Sequence, residues 1–466
     1  MGTVISERSN FTGIPRAVAW NKVTGKTVFT VNQSWKYGIT FSLPVLMLPD
    51  QDIDMKKCLR PLAVLFIFTI TVVACVSPIT TDETQPSSSN DVATMVAMTL
   101  QALAHQAASA PTVVPESPTI LLPHRLYFLS NDSQSILQVF RLERDGRTKT
   151  QVTFEPARVW DYTVSPADGS IAYEVNRQLV LVNADGSNRR ILVQDTPVPE
   201  GRGFYRPVFS PDGKTLAYAH GGLNLYDVST EASNLVLTDR LTDNGSGQLL
   251  PVETYSPESY SPDGTKLLVA LGHWEVMPSH AVYYPGTHAL VRYAEVKDYI
   301  YCCSFHGGPS WTSDSSSFYG VASVHDTTYQ SGELWRVDAV NGMVTRMLSV
   351  SNGTLNLPSE PYLAPNGQLY FFFGSYRTDS GYYDAPVLNL VRAAPDGVTG
   401  RSVIRNENFR MMDEALWAPD ASFVIVATAP DRSRNQSGGV LELYSTDGQK
   451  SPVWLASFGQ QMQWGP

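Results

Sequence analysis

The sequence predicts an all-β fold built from repeated four-stranded antiparallel units, and three observations carry that prediction. Charged residues are only 17% of the 466-residue chain, while Gly (33), Pro (31), Tyr (22) and Trp (9) are plentiful. That is the composition of many short strands joined by tight turns. One unit recurs from His124 onward, clearest in "VFSPDGKTLAYAH" (Val208 to His220), "SYSPDGTKLLVAL" (Ser259 to Leu271) and "TVSPADGSIAYEV" (Thr163 to Val175). Weaker copies are "SWTSDSSSFYGVA" (Ser310 to Ala322), "YLAPNGQLYFFFG" (Tyr362 to Gly374) and "LWAPDASFVIVAT" (Leu416 to Thr428). With Pro166, Pro211, Pro262, Ser313, Pro365 and Pro419 as markers, successive spacings are 45, 51, 51, 52 and 54 residues. A period of about fifty falls within or just beyond the range of β-propeller blades.

The turn chemistry explains the motif. Pro presets φ at the first central turn position, Asp or Asn bonds its own backbone, and Gly accepts the left-handed conformation. An apolar, aromatic strand follows each turn. A second signature then appears, as in "GELWRVDAVNG" (Gly332 to Gly342), "LVLVNADGSNRRIL" (Leu179 to Leu192) and "LELYSTDGQKSPVWL" (Leu441 to Leu455). It reads as a third strand, a Gly turn and a fourth strand.

These repeats resemble the WD-repeat-like propeller repeats of TolB, which also occur in the propellers of dipeptidyl-peptidase-type enzymes. The resemblance covers about Arg125 to Pro466. It implies a scaffold for a protein partner or an extracellular ligand, bound through the loop-rich faces or the central channel, with no cofactor. The first unit, "HRLYFLSNDSQSILQVFRLERDGRTKTQVTF" (His124 to Phe154), lacks a first strand, and the last residues, "QMQWGP" (Gln461 to Pro466), look like a first strand with nothing after it. Trp464 and Pro466 match Trp417 and Pro419. Joining the halves predicts seven blades over 123–466, closed by the C-terminal strand, which removes an unpaired sheet edge. Six blades, the more usual number in TolB-like proteins, is the alternative.

Upstream, "MKKCLRPLAVLFIFTITVVAC" (Met55 to Cys75) has a basic head and an apolar run, the two leading parts of an export signal. From Leu59 to Ala74 the run is about sixteen residues, short for crossing roughly 30 Å of hydrocarbon. Val72-Val73-Ala74-Cys75 resembles the bacterial lipobox. Residues 55–74 are therefore expected to be a lipoprotein signal, with Cys75 as lipid attachment site; an uncleaved membrane anchor is the alternative. Either places the rest of the chain outside the cytoplasm, lipid-anchored in the first case. Met55 is the expected true start, and 1–54 an unstructured leader from an upstream start codon. Residues 75–122 are Ser/Thr/Pro-rich, too poor in apolar surface to fold, and expected to be a tether with a short helix near 91–108.

Charge narrows the partners. Removing the 8 basic and 4 acidic residues before Cys75 leaves 26 against 40, near −14. No Lys/Arg cluster follows Arg60, which argues against nucleic acid. A monomer held at the membrane by its lipid is expected. Cys302 and Cys303 are adjacent; a strained vicinal disulfide and two reduced thiols are the alternatives, and no zinc spacing exists.

"HGGP" (His306 to Pro309) resembles the oxyanion-loop motif of prolyl-oligopeptidase-type hydrolases, but no G-x-S-x-G nucleophile elbow follows it. A non-catalytic role is expected. His288, His306 and His325 are weak metal candidates, as a metal-dependent polysaccharide lyase would need, though none has short ligand spacing. Tyr293, Tyr299, Tyr301, Tyr376, Tyr382 and Tyr383 lie in long connections, where they either line binding loops or cover neighbouring blades.

Overall fold

A computed structural model describes residues 17–23, 26–34, 40–45, 120–194, 205–273, 279–293, 309–326, 329–348, 354–377, 387–410, 412–429 and 437–466. The chain divides into two compact units, Met1–Thr112 and Val113–Pro466. The first contains β1 (Ala17–Val23), β2 (Lys26–Ser34) and β3 (Thr40–Val45), paired antiparallel in that order. A leader expected to lack regular structure thus carries a small sheet. Val, Thr and Phe in "KTVFTV" supply the strand preference that the absence of clear periodicity concealed. Cys75 and the signal lie outside the described residues.

The second unit begins with β4 (Leu126–Asn131), β5 (Leu137–Leu142) and β6 (Lys149–Gln151). Four-stranded sheets follow. One is β7 (Val159–Val164), β8 (Ile171–Val175), β9 (Gln178–Val182) and β10 (Arg190–Gln194). The next is β11 (Val208–Phe209), β12 (Thr215–Ala219), β13 (Gly222–Asp227) and β14 (Ala232–Thr238). A five-stranded sheet adds β15 (Arg240–Asp243) to β16 (Leu249–Tyr260), β17 (Leu267–Gly272), β18 (Ser279–Tyr284) and β19 (Ala289–Arg292). Then come β20 (Ser310–Trp311), β21 (Ser317–Asp326), β22 (Tyr329–Asp338) and β23 (Val344–Leu348). After them lie β24 (Thr354–Leu363), β25 (Leu369–Arg377), β26 (Asn389–Ala393) and β27 (Ser402–Val403). The last group is β28 (Met412–Trp417), β29 (Phe423–Thr428), β30 (Gly439–Ser445) and β31 (Val453–Trp464).

β31 belongs to two groups at once. Its first half pairs with β30 through Val453 to Gly459, and its second half pairs with β4 through Gln460 to Trp464. Each pair of successive groups shares one apolar cluster: Tyr127 and Leu129 pack with Tyr162 and Tyr173, and Ala172 and Leu181 with Phe209 and Tyr218. Ala217 and Leu223 then meet Leu267 and Tyr283; Leu268 and Val282 meet Phe318. Tyr319 and Leu334 meet Phe371, Phe372 meets Trp417 and Tyr444, and Ile425 and Leu441 return to Leu126 and Phe128. The circuit of twisted sheets closes on itself. This is a β-propeller.

The repeated turn works as the motif predicts. Asp212 Oδ1 accepts from Ser210 Oγ (2.7 Å) and Lys214 N (3.1 Å), and Asp263 and Asp314 make the equivalent bonds. Gly213 has φ +69, and a Cβ there would meet Ala167 Cβ at 2.6 Å. In the weaker copies Ser315 (φ 59) and Ala421 (φ 56) adopt the same left-handed geometry without glycine's freedom. Position in the ring of sheets overrides local preference there. Leu122, assigned by composition to the tether, is fully buried, and Leu121 N and Leu122 N donate to Arg144 O. The domain therefore includes residues before 123, because Leu121 and Leu122 pack into the cluster around Leu126 and Phe128, while Ile120 stays exposed.

Candidate functional site

The first strand of each group stands innermost, because consecutive first strands touch one another. Phe209 N–H donates to Thr163 Oγ1 (3.5 Å), Trp311 Nε1 to Ser259 Oγ (3.0 Å), and Trp417 Nε1 to Glu360 O (2.9 Å). Trp464 Nε1 donates to Trp417 O (2.7 Å) and Tyr162 Oη to Gln461 O (2.7 Å), which carries the circuit across the junction between the chain's end and its beginning. Strands so placed line the central channel of a propeller.

One position on these strands is unusual. Five residues before the turn marker stand Asp161, Arg206, Glu360, Glu414 and Gln461, and in β16 Glu258 lies one residue later. At or beside this position the ladder breaks register, between Val159 and Asp161, Pro257 and Ser259, Ser359 and Tyr362, Met412 and Glu414, and Gln460 and Gln463. Arg206, Glu360 and Gln461 have φ of 45°, 50° and 54°. Left-handed, non-glycine backbone, inside β24 and β31 at Glu360 and Gln461 and just before β11 at Arg206, costs about 1 kcal/mol or more and is held only where the surroundings enforce it. Bulges re-aim side chains, and here they do so at equivalent points around one axis.

The ring is predominantly acidic and only partly wet. Asp161, Glu258, Glu360, Glu414 and Gln461 are partly buried, while Arg206 is exposed. Burial pushes Asp161 up to about 6, against the pull of the Tyr162 N–H and the nearby Arg206 guanidinium. Burial likewise raises Glu414 to about 7, although the Met462 and Gln461 N–H groups, at 2.7 and 2.8 Å, oppose it. Glu360 rises to about 8, chiefly by burial and further by the negative charge of Glu414 and Asp413. Tyr162 is pushed well above its ordinary value by burial, with Glu414 and Asp161 adding to it. Glu258 has His280 Nε2 at 3.1 Å. Gln461 Oε1 is buried with no hydrogen-bond partner, and Trp160, beside Asp161, is 43% exposed with the Arg158 guanidinium 4.3 Å over its ring. Such a site suits a cationic group, which would offset the carboxylate repulsion.

The residues singled out from sequence lie elsewhere. Tyr293 is 4% exposed in the core, its ring 6.2 Å from His280 and 6.1 Å from Phe318, so it covers a neighbouring sheet. His288 sits in the β18–β19 turn, Nδ1 2.8 Å from Tyr283 Oη, whereas His325 is near the opposite end of a strand in the next sheet. Their positions do not bring them together, and among the described residues no group of three His, Cys, Asp or Glu is placed to hold a metal. Tyr299, Tyr301, Tyr382, Tyr383, Cys302, Cys303 and His306 lie outside the described residues, as do the side chains of Tyr376 and His325. The ring itself was missed. Aligning the copies on their turn markers and reading five residues back would have found it.

No family model and no curated protein sequence matches the chain. Among solved structures, TolB from Acinetobacter baumannii superposes with a TM-score of 0.37 at 15% identity, over 73% of this chain and 82% of that one. A prolyl endopeptidase gives 0.47 at 14%, over 81% and 57%, and prolyl oligopeptidase B from Galerina marginata 0.49 at 12%, over 72% and 49%. The chain thus spans about half the length of these peptidases. The likenesses concern the fold, and no residue role is transferred from them.

Proposed function

We propose that this chain is an extracytoplasmic lipoprotein, acylated at Cys75, whose seven-bladed propeller is a non-catalytic binding scaffold with the channel ring as its ligand-recognising element. The blade count is supported by the closed circuit, in which seven apolar clusters each join two successive groups of strands. The observation that carries the binding reading is the recurrence of carboxyl groups, Asp161, Glu258, Glu360 and Glu414, at or beside equivalent register breaks on the first strands of successive groups. A core has no use for carboxyl groups whose ionisation burial opposes, as it does at Asp161, Glu360 and Glu414, whereas a site for a lysine, arginine or amine does.

The test is titration of the purified protein with a labelled tri-arginine peptide at pH 8. Saturable binding, weakened about tenfold or more by Glu360→Gln with Glu414→Gln, is expected. No binding, or equal binding by the double variant, refutes the ring as the site. The anchor has a separate readout: the wild type should incorporate a labelled fatty acid and lose residues 55–74, and Cys75→Ala should lose both the label and the cleavage. A wild type that takes up no label and keeps residues 55–74 means an anchor helix instead.

A further inference from the structure

Among the described residues, six sheet edges face outward on separate outer strands, and such edges carry backbone groups able to pair with another chain. Most are blunted. β6 has three residues including Lys149, β19 four including Arg292, and β27 only two. β10 and β23 carry Arg190 and Arg346. The first half of β31 is uncharged, but it follows Pro452, breaks register twice and buries Leu455 and Ala456.

β14 differs from all of them. Its seven residues, "ASNLVLT", make it the longest of the separate outer strands, without a charge or a proline. Ala232 to Leu235 are all exposed, Leu235 at 51%, and pair in unbroken register with Asp227 to Asn224 before a bulge at Val236. Acidic residues flank it: Glu231, whose side chain is 61% exposed although it pairs with Arg190, and Asp239, partly buried with Oδ1 accepting from Tyr255 N–H at 3.0 Å and followed by Arg240.

We propose that the outer edge of β14 takes an extended segment of a partner protein, apolar at its centre and basic at both ends, added as a fifth strand. Main-chain bonds supply the affinity in this mode, and side chains the specificity. A second copy of the chain is the poorer occupant. Pairing β14 with itself about Leu235 sets Glu231 opposite Asp239 of the other copy, and like charges directly opposed destabilise a pair. A net charge of −10 adds general repulsion. This edge is separate from the channel ring and stands whether or not the ring binds a cation; it gives the scaffold a class of partner.

The probe is a synthetic peptide, a Thr-Val-Leu-Val-Thr centre with two lysines at each end, added to the purified full chain. Slowed amide exchange confined to Ala232 to Leu235, with saturable binding, is the expected result. Leu235→Lys, at an exposed position that leaves the core intact, should weaken binding about tenfold or more, and so should replacing the peptide's lysines by glutamates. Absence of binding overturns the proposal, as does binding that ignores both changes or protects other residues. Dimerisation of the wild type that Leu235→Lys abolishes assigns the edge to a second copy and overturns the partner.

Discussion

Acidic residues stand both in the turns and on the inner strands, and the two sets behave oppositely. In the turns, Asp212, Asp227, Asp263, Asp314 and Asp420 are held below the ordinary carboxylate range by hydrogen bonds from Ser, Thr and backbone N–H groups, with Asp227 and Asp314 near 2. In the channel, Asp161, Glu414 and Glu360 are pushed to about 6, 7 and 8 by loss of water. Residue type is nearly constant; environment decides. A turn aspartate is satisfied within its own repeat and serves the fold. A ring carboxyl is set chiefly by loss of water, with Arg206 opposing it at Asp161 and the charge of Glu414 and Asp413 adding to it at Glu360, where a cationic ligand would contribute.

The largest effect should come from removing the element that touches both sets. Deleting Gln461 to Pro466 strips Met462 and Trp464 from the core and the two N–H donors from Glu414. Loss of several kcal/mol, seen as a fall in Tm of about 10 °C or more, is expected in calorimetry. An unchanged Tm breaks the closure. Next is Asp263→Ala, which removes an acceptor for Ser261, Thr265 and Lys266. It should cost about 1 kcal/mol at pH 7, close to 2 °C in Tm. A stabilised variant would place the turn acids with the ring acids.

Glu360→Gln should do the reverse, raising Tm by about 2 °C at pH 8.5 and changing little at pH 5. The sign follows from the raised folded-state value: the neutral form is favoured by folding, so its contribution is complete below about 4.5 and lost as pH rises through about 8. The smallest effect is the shape of the wild-type profile. The depressed turn acids contribute above their ordinary value of 3.8, and that contribution is lost as pH falls towards about 2. Tm should therefore decline on both sides of a maximum near pH 5. A profile flat from pH 5 to 9 would erase the difference between the two sets.

The turns were legible because their chemistry is local: a proline, an acceptor and a glycine within four residues dictate the geometry. The closure was legible too, since Trp464 and Pro466 repeat the spacing of Trp417 and Pro419. The ring was not. A bulge leaves no mark on an alternating pattern, and the crowding that desolvates Glu360 and Glu414 arises only when distant repeats converge. Clustered tyrosines and histidines drew attention instead, and the one tyrosine of that set whose side chain is described, Tyr293, proved to be core.

β31 also sets an order in time. A chain made from its N-terminus holds β4 to β6 without their inner strand until β31 has been made. The sheet that begins the domain is thus finished only once Gln460 to Trp464 are available to pair with it. A molecule cut before Gln461 would leave the Leu126–Phe128 edge unpaired and open to a protease.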